Sequence, residues 1–190
     1  MGPYGQLLGD FLYKYTSQMT AQEFITAYQP ANAYQYAIRE KQCHNGQCPT
    51  FAQAVAQYGV PAILSLVNDY MVDLAKYCHA SLPPDIREEL AKCIIAMYRR
   101  MKISQFVLFC VKCKAGHFGK FYNTIEAMDI TARLNEWQTT CRTMENNLQR
   151  EAWDTFQNML RYGEIEGDKE FCEAIKFYDP DGQLTLIFKA

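Results

Sequence analysis

The chain has 190 residues, of which 49% are hydrophobic, and a formal net charge of −2 at pH 7. This length suits one domain that buries most of its unfolded surface without disulfide bonds. The near-neutral charge does not point to nucleic acid or membrane lipid as a partner, and no apolar run approaches the roughly 18 residues that a membrane-spanning helix requires.

Eight cysteines are present, and the N-terminus lacks a basic segment followed by an apolar core. We therefore expect a cytoplasmic protein with reduced thiols and no membrane partner, rather than a secreted disulfide scaffold. The sequence contains no P-loop, dinucleotide or metalloprotease motif. We expect no cofactor and no enzymatic activity.

Helix-start signals recur in the first half of the chain. Thr20 and Glu23 form a capping-box pattern, in which each side chain accepts a hydrogen bond from the other residue's backbone N–H. Thr50 and Gln53 repeat this pattern, and Gly59 should end the helix that follows. Apolar residues then recur at three- and four-residue steps, which predicts a buried helix face. Its positions are Ile63, Val67, Tyr70, Met71, Leu74, Tyr77 and Cys78.

Two further helices are predicted in the centre. Pro83 and Pro84 interrupt the chain, and Asp85 is a candidate cap for the next helix. Ser104 is a candidate cap for another, which Gly116 should end. The glycines of segment 116–124 predict a loop. The apolar face of the first of these helices is Ile86, Leu90, Cys93, Ile94, Met97 and Met101.

The longest predicted helix begins near Thr124 or Asp129 and ends at Gly163, about nine turns later. Its apolar seam is nearly heptad over part of its length, which favours packing against a partner helix. A protein-interaction or assembly module, with a protein partner or as a homo-oligomer, is therefore an alternative function. The seam is Ile130, Leu134, Trp137, Cys141, Met144, Leu148, Ala152, Phe156 and Leu160.

The predicted fold class is all-α, in three segments. Residues 1–18 form an N-terminal extension, residues 19–163 a multi-helix domain with one long C-terminal helix, and residues 164–190 a small β-hairpin. The hairpin is predicted from type I turn residues, Asp179-Pro180-Asp181-Gly182, beside the strand-favouring Thr185, Ile187 and Phe188.

Cys43, His44 and Cys48 place three potential zinc ligands in one glycine-containing loop. Their spacing is not that of a standard zinc finger, and cysteine is also among the most often buried residues. A small zinc-binding protein is therefore a further alternative. Burial in the core is the preferred interpretation of Cys78, Cys93, Cys110, Cys113, Cys141 and Cys172.

Charge is unevenly distributed along the chain, since no acidic residue lies between Leu90 and Ile125. Cations with accessible rings are how proteins hold nucleic-acid backbones and stack bases. The basic-aromatic segment 92–122 therefore predicts a nucleic-acid site, unless its phenylalanines are core and its lysines ordinary surface. The predicted contact residues are Arg99, Arg100, Lys102, Lys112, Lys114, His117, Phe118, Lys120 and Tyr122.

Residues 20–30 (TAQEFITAYQP) and 114–123 (KAGHFGKFYN) resemble two stretches of an uncharacterised protein family from gut bacteria, their phages and mobile elements. The helix that contains Ile125, Asp129 and Ile130 is similar too, so the resemblance covers about residues 19–150. It implies an accessory of replication or transfer and assigns a role to no residue. The leading prediction is a non-enzymatic accessory protein that binds nucleic acid or a nucleic-acid-processing partner.

Overall fold

The computed structural model of the protein describes residues 19–44 and 48–162, with side chains described up to residue 151 and at 154. Within these ranges the fold is all-α, as predicted, with eight α-helices and no strand. The predicted extension over 1–18 and the predicted hairpin over 164–190 lie outside the described residues. No helix in the described part of the chain is both long and apolar enough to cross a membrane.

A 3₁₀ turn over Pro30–Asn32 joins the first two helices. Residues from Gln149 onward belong to a second unit, of which 149–162 are described and helical. The helices are α1 (Ala21–Tyr28), α2 (Tyr34–Ile38), α3 (Glu40–Cys43), α4 (Phe51–Tyr58), α5 (Val60–Tyr77), α6 (Pro84–Met97), α7 (Ile103–Lys114) and α8 (Ala127–Tyr162).

Both predicted capping boxes are confirmed. Thr20 Oγ1 accepts from the Glu23 N–H at 3.2 Å, and the Glu23 carboxylate accepts from the Thr20 N–H at 2.7 Å. Thr50 and Gln53 make the same pair of bonds at 3.2 and 2.9 Å. Gly59 ends α4 with φ +87°, as predicted. Such caps each contribute about 1 kcal/mol, and they fix where α1 and α4 begin.

The cap predicted at Asp85 is wrong, because Pro83 occupies the cap position and α6 begins at Pro84. Proline is favoured in the first helical turn, where its missing N–H would have no intrahelical partner and its φ already suits the helix. Asp85 instead lies in the first turn, where its carboxylate interacts favourably with the helix dipole.

The cap predicted at Ser104 is wrong as well. The helix α7 begins at Ile103, and Lys102 occupies the cap position. Ser104 is buried, and its hydroxyl donates to the Cys43 carbonyl at 2.7 Å. The Gln105 side chain accepts from the Lys102 N–H at 2.9 Å. The Ser104 hydroxyl, which the local pattern assigned to capping, therefore makes a tertiary contact with α3 instead.

The helix α7 is the centre of the core, since residues 103–110 are all buried. Phe106 meets the Phe51 ring at 5.5 Å and the Tyr70 ring at 5.7 Å, both edge to face. Six of these eight residues are apolar, as a helix that is buried on every side requires. The two polar ones, Ser104 and Gln105, have hydrogen-bond partners in the fold.

The predicted apolar face of α5 is confirmed from Ile63 to Leu74, but Tyr77 at its end is exposed. The prediction for α6 is only partly right, since Ile86, Cys93 and Met97 are exposed. These three positions lie about 70° or more around the helix from the centre of its buried face. The buried members of the predicted α6 face are Leu90, Ile94 and Met101.

The long helix is confirmed at 36 residues. Its seam is buried at Ile130, Leu134, Trp137 and Cys141, and the Trp137 indole N–H donates to the Gln105 carbonyl at 2.9 Å. Met144 and Leu148 are half-buried. The rest of the predicted seam lies outside the described side chains. Cysteine burial is confirmed for Cys110, Cys113 and Cys141, whereas Cys78 is half-buried and Cys172 lies outside the described residues.

The helix α5 ends in a Schellman motif. The Ala80 N–H donates to the Ala75 carbonyl at 3.0 Å, and the His79 N–H to the Lys76 carbonyl at 3.3 Å. His79 has φ +50°, a left-handed conformation that favours glycine at this position. A β-carbon there makes the motif less stable than it would be with glycine.

Replacing His79 by glycine should therefore raise the free energy of unfolding by about 0.5–1 kcal/mol. Relief of the left-handed strain exceeds the extra chain entropy of glycine in the unfolded state. Urea unfolding measures the change. His79→Ala is the matched control, because it removes the imidazole but keeps the β-carbon and should give no gain. Equal stabilisation by both variants would contradict this explanation.

Candidate functional site

Three lysines among the predicted nucleic-acid contact residues are ion-paired within the fold. Their side chains are only 12%, 20% and 8% exposed, in chain order. Carboxylates far away in the sequence compensate their charges, so these lysines are not free to bind phosphate. The pairs are Lys102 with Glu145 at 2.5 Å, Lys112 with Glu40 at 3.1 Å, and Lys114 with Asp73 in direct contact.

The remaining predicted contact residues with basic side chains are separated by α7. Arg99 and Arg100 are exposed before its N-terminal end, whereas His117 and Lys120 are exposed beyond its C-terminal end. Twelve residues of α-helix span roughly 18 Å. The structure therefore does not bring the arginines together with Lys120.

Phe118 packs into the core and not towards solvent. Its ring lies 5.4 Å from Phe109 and 6.1 Å from Trp137, and it is half-buried. Phe106 and Phe109 are buried. These three phenylalanines therefore belong to the core, as the alternative interpretation of the segment expected. A surface that stacks on bases has to use other rings.

Exposed rings lie at the C-terminal end of α7. Lys114, its last residue, has its Nζ 5.4 Å from the ring centroids of both Tyr34 and Tyr77. These tyrosines are 51% and 56% exposed, and Tyr122 on the loop after α7 is 78% exposed. We refer to Tyr34, Tyr77 and Tyr122 as the tyrosine face.

Backbone pairing places Tyr122 beside the end of α5. The Ser81 N–H donates to the Asn123 carbonyl at 2.9 Å, and the Ile125 N–H donates to the Ser81 carbonyl at 2.9 Å. Tyr77 precedes Ser81 by four residues. The tyrosine face therefore combines α2, α5 and the loop over residues 116–124, and only Tyr122 lies in the segment that the sequence singled out.

Exposed cations occur in the same parts of the chain: Arg39 follows α2, Lys76 precedes Tyr77 on α5, and Lys120 lies on the loop with Tyr122. None of them has an ion-pair partner within residues 19–44 and 48–162. Asp69, two turns before Tyr77, and Glu126, after the loop, are the exposed carboxylates on these elements. Cations in excess of anions can attract a polyanion to exposed rings.

The predicted zinc ligands are engaged in other contacts. The Cys43 thiol donates to the Tyr36 carbonyl at 3.3 Å, and the Cys48 thiol to the Gln42 carbonyl at 3.5 Å. Burial raises the pKa of the Cys43 thiol to about 12 and also raises the pKa of Cys48, so both are neutral thiols at pH 7. Among the described residues, no three His, Cys, Asp or Glu side chains are grouped to hold a metal ion. Zinc binding therefore stays a prediction, and the described residues contain no group of donors that would hold the ion.

His44 belongs to a buried polar network. The Gln105 side-chain amide lies 3.2 Å from His44 Nδ1 and donates to the Glu145 carboxylate at 2.6 Å. Because this amide nitrogen is a donor, Nδ1 is the acceptor and the imidazole proton is on Nε2, which is buried without a partner in the described residues. Burial lowers the pKa of His44, since it disfavours the charged form, and the ring is neutral at pH 7.

Acid should therefore destabilise the protein through His44. A lowered pKa in the folded state means that the stabilisation is fully present above the ordinary value of 6.5 and is lost as pH falls below it. His44→Asn should flatten the decrease in unfolding free energy between neutral pH and about pH 5. Chemical denaturation at several pH values measures this slope. An equal slope in the parent and in His44→Asn would refute the role of burial.

Comparison with known families gives one result. Residues 81–159 are similar to a family of unknown function (DUF6633). This segment contains α6, α7, the loop with Tyr122 and most of α8, whereas Tyr34 and Tyr77 lie before it. No curated protein and no solved structure matches the chain.

Proposed function

We propose that this protein is a non-enzymatic accessory that binds single-stranded nucleic acid through the tyrosine face. The observation that carries the proposal is the pair of exposed rings, Tyr34 and Tyr77, that meet at Lys114 Nζ at the C-terminal end of α7. The resemblance to proteins of gut bacteria, phages and mobile elements adds the context of replication or transfer. Within that context the protein would keep a strand accessible to the processing machinery.

Stacking and charge have separate roles in this proposal. A base stacked on an aromatic side chain contributes about 1–3 kcal/mol and tolerates any sequence, because every base has a π face. Lys114 lies between Tyr34 and Tyr77 and restricts both rings through cation–π contacts. Restricted rings lose less conformational entropy when a base stacks on them. Lys76 and Lys120 would neutralise phosphates beside the rings.

A single strand suits this surface better than a duplex. Base faces are accessible to aromatic side chains only where the strand is unpaired. The tyrosine face is built from helix ends and a loop, whereas sequence readers of duplex DNA usually insert the side or N-terminal turn of a helix into the major groove.

Substitutions on the tyrosine face should weaken binding to an oligothymidylate of about 15 nucleotides. Tyr77→Ala and Tyr122→Ala should each cost about 1–3 kcal/mol, roughly a 5- to 150-fold loss of affinity. Lys76→Gln and Lys120→Gln should each reduce the salt slope of log affinity by about 0.7, because one fewer phosphate is neutralised. Fluorescence anisotropy over a salt series measures both effects.

The opposite end of α7 provides the matched controls. Met97→Ala removes an exposed apolar side chain, and Arg100→Gln removes an exposed cation, both away from the tyrosine face. These variants should bind the oligonucleotide as the parent does. The proposal is overturned if the parent fails to bind at about 50 mM salt, if duplex is preferred, or if the controls lose as much affinity as the tyrosine variants.

The length of α8 favours a second candidate function, assembly. Among the side chains of α8 that the structure describes, the buried positions end at Cys141, yet the helix continues for 21 further residues, which is about 30 Å. Met144 and Leu148 continue the same seam. We propose that two copies of the chain pair along this part of α8, because an isologous contact lets each copy supply the surface that the other needs.

Light scattering during size-exclusion chromatography tests this pairing. The parent should show a mass that rises towards a dimer with concentration, and Met144→Asp with Leu148→Asp should abolish the rise, because buried carboxylates oppose association. Asn146→Asp with Asn147→Asp adds the same charge at exposed positions of the same helix and should leave association unchanged. A parent that stays monomeric at its highest attainable concentration would refute the assembly function.

A further inference from the structure

Arg133 lies on the second turn of α8, and its side chain contacts the loop over residues 116–124. Its Nε donates to the Phe118 carbonyl at 2.9 Å, and its Nη2 donates to the Lys120 carbonyl at 3.3 Å. Its guanidinium carbon lies 3.9 Å from the centroid of the Phe121 ring. One side chain therefore contacts three of the five residues from Phe118 to Tyr122.

The loop backbone is shaped to approach this guanidinium. Gly116 and Gly119 have φ of +75° and +93°, which side chains other than glycine rarely adopt. A β-carbon on Gly119 would lie 3.8 Å from Arg133 Nη2, an ordinary van der Waals distance, so the loop backbone is close to the arginine here. Phe118 and Phe121 are half-buried, whereas Lys120 and Tyr122 are exposed. The same loop conformation thus directs the phenylalanines inward and leaves the two predicted ligand contacts accessible.

Holding the loop carries a cost in the folded protein. Arg133 Nη1 is buried and has no hydrogen-bond partner in the described part of the chain. A buried donor without a partner is destabilising, so the two carbonyl bonds and the ring contact must offset its desolvation. Lysine could not replace these contacts, because its ammonium is a single point charge without the planar fork that reaches two carbonyls at once.

We infer that Arg133 is a positioning residue that presents Lys120 and Tyr122 for nucleic-acid binding. The inference rests on the proposed function and adds a residue that need not touch the ligand. A loop ordered before binding loses less conformational entropy when the strand docks. Arg133 therefore acts on affinity through Lys120 and Tyr122, and its effect should be smaller when Tyr122 is absent.

The experiment compares Arg133→Lys and Arg133→Gln with Arg142→Gln, an exposed arginine on the same helix. Hydrogen exchange of the free protein should show faster exchange of loop amides in both Arg133 variants and parent-like exchange elsewhere. Both variants should bind the oligothymidylate about tenfold more weakly than the parent. Arg142→Gln should resemble the parent in both measurements, apart from a small change in salt dependence.

A double-mutant cycle separates positioning from a general structural effect. Tyr122→Ala should cost less affinity in the Arg133→Gln background than in the parent, because the tyrosine is no longer presented. Three results would each overturn the inference while the parent still binds. The affinity losses of the two substitutions could be additive, the loop amides of Arg133→Gln could exchange as in the parent, or Arg133→Lys could bind with the affinity of the parent. Failure of the parent to bind would overturn the proposed function itself, and the positioning role with it.

Discussion

Residues 103–110 of α7 are all buried, and the rest of the described structure is arranged around that constraint. A helix in this position can carry charge only near its ends and only with compensation, because an unpaired buried charge is strongly destabilising. Lys102, Lys112 and Lys114 meet this requirement by pairing with carboxylates on three different helices. The three pairs therefore connect α3, α5 and α8 to the two ends of α7.

The same burial divides the basic segment into two surfaces. The lysines that the sequence suggested for ligand binding are ion-paired within the fold, and the exposed cations lie before and after α7. The N-terminal end exposes arginines without an exposed tyrosine in the described residues of α6 or the following turn. The C-terminal end combines tyrosines with cations, and for this reason we place the proposed ligand there. The loop at this end also contacts both α8 and the segment after α5.

The position of the family match bears on how this surface is composed. Residues 81–159 begin at Ser81, whose backbone bonds to the loop, and include both Arg133 and Tyr122. Tyr34 and Tyr77 come from the preceding part of the chain. The loop and the arginine that holds it thus lie within the matched segment, whereas the other two rings are supplied by α2 and α5.

Local interactions were predictable from the sequence alone. The caps at Thr20 and Thr50, the end of α4 at Gly59 and the seam from Ile130 to Cys141 depend on residues within a few positions of one another. Other features depend on residues that are distant in the sequence. These are the ion pairs, the hydroxyl contact of Ser104, the exposure of one edge of α6 and the grouping of the tyrosines. Periodicity shows that a helix has an apolar face, but tertiary packing decides how much of that face is covered and which opposite charges meet.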